Sequence, residues 1–165
     1  MRALLVVHVA ISLVAIAAGL VEVSGWLRGK RWPVVTNVFF WLTLLTSLTG
    51  FPLPAKQLLP SHVFGFISVI VLAFAYVGLY RKQLAGRWGT TYVITAAIAQ
   101  YLNMFVLIFQ SFLKVPALRA LAPTQSEPPF AAAQGALFVA FVVVTVLAVR
   151  RTRGATGATG FSRAA

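Results

Sequence analysis

The chain has 165 residues, of which 60% are hydrophobic and only 10% charged, and its mean hydropathy is +0.91. Soluble domains carry about a quarter charged residues, so a soluble globular fold is excluded and an integral membrane protein is the expected class. The absence of cysteine removes disulfides, thiolate metal sites and covalently attached haem.

Five runs approach or exceed the roughly 18 to 20 apolar residues that a helix needs to cross a bilayer. They cover 3–25, 34–51, 62–80, 90–113 and 130–149. The expected fold is all-α, an integral membrane bundle of five transmembrane helices forming one domain over 1–150. The remainder, 151–165, is small, basic and low in complexity ("RTRGATGATGFSRAA"), and is expected to be a disordered cytoplasmic tail. The formal net charge of +12 suggests a nucleic-acid partner until its placement is considered. Arg28, Lys30, Arg31, Arg81, Lys82, Arg87, Arg150, Arg151, Arg153 and Arg163 fall on one side of the spans, and only Arg2, Lys56, Lys114 and Arg119 on the other. That bias follows the positive-inside rule, with the N-terminus outside and the C-terminus in the cytoplasm. The basic excess therefore encodes topology, and the expected partners are the lipid bilayer and other membrane subunits, not nucleic acid. Trp26, Trp32, Trp88, Tyr80 and Tyr92 lie near the basic side, where an aromatic belt belongs.

The first segment, "MRALLVVHVAISLVAIAAGL", has the basic start and apolar core of a signal peptide, with an Ala15-Ile16-Ala17 triplet. Cleavage there would leave "WLRGKRW" on the outer side, against the charge bias, so a retained helix is expected. On it, His8, Ser12, Ala15, Gly19 and Glu22 share one narrow sector. The small residues suit helix packing. Glu22 is the only acid in any span, and is either paired with Arg28 or Arg31 near the interface or a buried functional carboxyl for protons or a cation.

Thr36, Thr43, Ser47 and Gly50 form a polar stripe on the second segment. The third opens at His62. With His8 it places two imidazoles on the outer side, the pair a six-coordinate b-type haem requires; the alternative is an interfacial cap and a hydrogen-bonded interior group. No spacing marks a metal site.

Gln100, Asn103 and Gln110 fall within about 80° of one another on the fourth segment, so they must face protein or a water-filled cavity. Amides of this kind either tie helices together or line a small-molecule or quinone site. In the connection that follows, Pro116 and Pro123 bracket "ALRALA", a segment suited to the membrane surface. Thr124 or Ser126 can cap the fifth helix, with Glu127 near its positive end and Pro128 and Pro129 in its first turn. So many specific residues exceed what a cap needs and suggest a lid or a partner contact. His8, His62, Gln110 and the 114–130 hairpin are expected around one outer cavity, with Glu127 available to orient an imidazole.

The stretches "LTSLTGF", "PSHVFGFIS" and "YLNMFVLIFQSFLKVPALRALAPTQSEPPF" resemble a group of small bacterial inner-membrane proteins, over roughly Thr43 to Gln134. The resemblance implies a bacterial plasma-membrane setting and no particular activity. A fainter likeness is to small multi-helix families with histidines at outer helix ends, b-type cytochromes among them. In those a basic turn is often followed by a further histidine; here "GKRWPVV" has Pro33 at that place. Three classes follow: an accessory membrane protein, a redox or quinone module using His8 and His62, and a small proton-coupled carrier using Glu22. No inverted repeat supports the last, and no nucleophile–base pair supports hydrolysis.

Overall fold

The computed structural model describes residues 2–50, 60–155 and 162–163, with side chains over 3–50 and 63–153. Among the described residues there are six α-helices: α1 Arg2–Leu27, α2 Pro33–Gly50, α3 Pro60–Tyr76, α4 Arg87–Lys114, α5 Pro116–Leu121 and α6 Pro128–Ala155. Five helical stretches are long and apolar enough to cross a membrane: Ala3–Leu27, Pro33–Gly50, Val63–Arg81, Arg87–Lys114 and Pro128–Arg153. At 1.5 Å per residue, α1 is about 39 Å long and α2 about 27 Å, which brackets a hydrocarbon core about 30 Å thick.

Proline and glycine place the ends. α2, α3, α5 and α6 each begin at a proline, whose missing N–H costs nothing in a first helical turn. α1 stops where Gly29 takes φ 65°, closing a turn in which the Gly29 N–H donates to the Trp26 carbonyl. α4 stops at Val115, held extended by the proline after it. α3 does not run evenly to its end: Val77–Arg81 widens into a π turn, closed by the Lys82 N–H on the Val77 carbonyl. The loop after it places Gln83 and Leu84 at φ 47° and 61°, left-handed conformations that non-glycine residues rarely adopt.

α1 to α4 form a four-helix bundle in the ring order α1, α2, α3, α4, with α4 returning to α1. α1 and α3 lie across its diagonal and are not closely packed. α6 lies outside this ring, against α4 and α1. The core is centred on α4, with Trp26, Phe39, Leu72, Tyr92, Val93, Ala96 and Ala97 buried around it. The alternation of the spans collects Arg28, Lys30, Arg31, Arg81, Lys82, Arg87, Arg150, Arg151 and Arg153 at one end of the bundle, and the 115–127 connection at the other. α6 also continues helically to Ala155, into the segment expected to be disordered, and Ser162–Arg163 pairs in parallel with Lys30–Arg31. The disorder expected for 151–155 is therefore corrected, because the apolar run hands over to a basic last turn that a helix C-terminus accommodates. Residues 156–161 lie outside the described residues.

Candidate functional site

Glu22 is 1% exposed, five residues before the end of α1, and its carboxyl is the centre of a buried polar cluster. The Trp26 indole N–H, one turn along the same helix, donates to Oε1 at 3.2 Å. The Tyr92 hydroxyl of α4 donates to the same oxygen at 3.0 Å. The Thr36 hydroxyl of α2 bridges both oxygens, at 2.9 Å from Oε1 and 3.0 Å from Oε2. All three donors are fully buried, and Trp26 and Tyr92 meet edge to face at 6.3 Å between ring centres. Among the described residues the cluster is neutral apart from Glu22. Arg31 acts only at longer range, so the ion pair with Arg28 or Arg31 weighed from the sequence is not formed. One carboxyl thus joins three helices, and its donors replace the water that burial removed.

Sequence reasoning misassigned two of these partners. Trp26 and Tyr92 were expected in an interfacial belt, yet both are 0% exposed, drawn inward by the oxygen they serve. The available signal was the helical spacing of Glu22 and Trp26, four residues apart on one face.

Closer to the middle of the bundle, Gln100 is 0% exposed and its Nε2 donates to the Ile16 carbonyl of α1 at 3.0 Å. Its Oε1 has no hydrogen-bond partner and faces Gly19, where a Cβ would fall inside the amide. Asn103 Nδ2 donates to Thr43 Oγ1 of α2 at 3.1 Å. Gln100 and Asn103 therefore face the α1–α2 side of the bundle, each committed to a different helix. Gln110 is partly buried and belongs to neither contact.

Toward the hairpin end, His8 Nδ1 lies 2.9 Å from Thr49 Oγ1 of α2, and Ser12 Oγ lies 3.4 Å from Thr46 Oγ1. His62 opens α3, but its side chain lies outside the described residues, and so does the facing-histidine expectation.

Glu127 is spent locally. Its Oε1 accepts from the Thr124 N–H at 3.0 Å and the Thr124 hydroxyl at 2.9 Å, and its Oε2 from the Ser126 N–H at 3.1 Å. Against a desolvation contribution that pushes it up, these hydrogen bonds hold the Glu127 carboxyl below the usual carboxylate range. The expected caps, Thr124 and Ser126, instead point toward each other, and Glu127 is the residue preceding α6, its carbonyl accepting from the Phe130 N–H at 3.1 Å. Gln125 fastens the loop to α4 through Nε2 to the Phe109 carbonyl at 2.8 Å, and Phe130 packs on Phe112 at 5.4 Å. Among the described residues no group of three His, Asp or Glu side chains is arranged to hold a metal.

Compared with protein-family models, curated proteins and solved structures, the chain matches none.

Proposed function

We propose that the chain is a multi-pass accessory protein of the bacterial inner membrane, N-terminus outside, that binds a partner membrane subunit through its outer hairpin. One observation carries this reading: four of the polar side chains within the helices tie one helix to another. Glu22, Gln100, Asn103 and His8 each hold a group on a neighbouring helix. An interior used in this way fixes helix positions and offers few groups to a substrate.

The hairpin is arranged the other way. Gln125, Glu127 and the Phe112–Phe130 contact pin its backbone, while α5 buries nothing and leaves Leu121 57% exposed. A pre-ordered element that displays its side chains binds at lower entropic cost than a flexible one. A photoreactive amino acid at Leu121 should give one discrete adduct in intact cells, and the same group at Leu147 on the lipid-facing surface of α6 should give none. Absence of an adduct at Leu121, or identical adducts at both positions, counts against docking through the hairpin.

Glu22 favours a second reading, a proton-coupled carrier, because its carboxyl lies within a span and has only neutral donors. That reading requires a proton flux across vesicles containing the protein, abolished by Glu22→Gln; the accessory reading requires no such flux. A reduced-minus-oxidised haem spectrum from the purified protein would replace both with the redox reading of His8 and His62.

A further inference from the structure

We propose that the protein docked on the hairpin presents a carboxylate to Arg119, beside an apolar surface that covers Val115 and Leu121; this rests on the docking reading above. Lys114 and Arg119 stand on the side of the bundle that the positive-inside rule leaves poor in cations, so orientation does not explain them. Lys114 closes α4, where a cation suits the negative end of a long helix. α5 is only six residues long, so little dipole faces Arg119, and Arg119 is exposed on a helix that buries nothing. The chain has only two acidic residues. Glu22 is enclosed by Trp26, Thr36 and Tyr92, and Glu127 is bonded to Thr124 and Ser126. Among the described residues Arg119 therefore forms no ion pair, although a guanidinium is suited to grip a carboxylate with two parallel hydrogen bonds.

Apolar ground surrounds this cation. Val115 is 44% exposed and its carbonyl accepts from the Arg119 N–H at 2.9 Å, one turn along; Leu121 is also exposed. Protein interfaces join apolar contact to a few charges, which select the partner more than they add affinity. The connection is built to hold this display still. Gln125 takes φ 60°, a conformation that non-glycine residues rarely adopt, and its Nε2 on the Phe109 carbonyl at 2.8 Å keeps it there. Backbone strain of this kind persists where the surroundings enforce it, and binding sites are one such place. A lipid headgroup would also neutralise Arg119, but a diffusing lipid serves a mobile loop as well as a fixed one. A protein surface with its own fixed carboxylate gains from the fixed loop, because less freedom is lost on binding.

The test uses the full-length protein in intact cells, with the photoreactive amino acid at Leu121 reporting docking. Arg119→Glu sets like charges together and should lower the yield of the Leu121 adduct about tenfold or more. Arg119→Lys keeps the charge and should lower it less than about threefold. In native membranes a water-soluble carbodiimide joins an amine to a carboxylate in contact with it. Applied to Arg119→Lys, with Lys114→Arg removing the neighbouring amine, it should give one amide to an aspartate or glutamate of the same captured protein. Changing that acid to lysine should restore the adduct of Arg119→Glu to within about threefold of wild type, as a direct charge pair requires. An adduct that survives Arg119→Glu unchanged keeps the docking reading and overturns the acidic partner. No Leu121 adduct in the wild type removes both. Failure of the charge swap to restore the adduct also overturns the proposal. Preferential retention of phosphatidylglycerol over phosphatidylcholine by the purified wild type, lost in Arg119→Glu, would then make a lipid headgroup the ligand. Circular dichroism checks that Arg119→Glu, in a helix that buries nothing, keeps its fold.

Discussion

A carboxyl in hydrocarbon persists only if the protein supplies what water would have supplied, and Glu22 shows how narrow that provision is. Three donors serve it, and Oε2 has only Thr36. Tyr92→Phe keeps the ring and removes only a hydroxyl; Thr36→Val keeps the shape and removes the bridge between the two oxygens. Each should lower stability by about 0.6 to 1.7 kcal/mol, the span from average to largest for interhelical hydrogen bonds in a bilayer, read as a lower Tm in detergent. Glu22→Leu should cost more than Glu22→Gln. Leucine strands an indole and two hydroxyls in a dry core, whereas glutamine still offers them an oxygen. Equal losses for the two would mean that the donors do not depend on that oxygen. The sequence marked Glu22 as the one acid in a span, but could not name Thr36 or Tyr92, which approach it from the next helix and from one 70 residues along the chain.

At the scale of the elements, α1 and α4 approach each other because Gly19 has no side chain where the Gln100 amide lies. Gly19→Ala should destabilise by about 1 to 3 kcal/mol, the ordinary cost of overpacking. Gln100→Ala added to it should recover much of the loss, giving a coupling energy that a double-mutant cycle measures. Additive losses would show that the two residues do not share the space. The stripe of Gln100 and Asn103 was legible from helical periodicity; that its members serve two different helices was not.

The hairpin carries a pH dependence of its own. The Glu127 carboxyl is held low by hydrogen bonds to its charged form. The order it contributes is therefore fully present above the ordinary carboxylate pKa, and is lost as pH falls through the lower folded value. Hydrogen exchange at Thr124 and Ser126 should rise over that acid window in the wild type, and Glu127→Gln should flatten the profile. An unchanged acid profile in Glu127→Gln would assign the order to Gln125 and the aromatic contact instead.

For the whole molecule, the basic residues at one end imply an orientation that labelling can test. The chain contains no cysteine, so single introduced thiols report without background. A cysteine at Arg119 should react with an impermeant thiol reagent in intact cells, and one at Gln83 only after the membrane is opened. The reverse result would invert the proposed topology.

The sequence by itself determined the all-α class and the presence of five helices long and apolar enough to cross a membrane. Hydropathy and the breaking action of proline and glycine are local, and a bilayer enforces both strongly. It also determined which end of the bundle is basic, since alternating spans leave no choice. Tertiary structure alone decided which helices are neighbours, and with that the partners of every buried polar group. α1 packs on α2 and α4 but stands diagonal to α3, so Glu22 found Thr36 and Tyr92. Nothing local encodes such a choice: a polar stripe shows that a helix needs a polar neighbour, and only the packing of large and small side chains across the bundle selects which one.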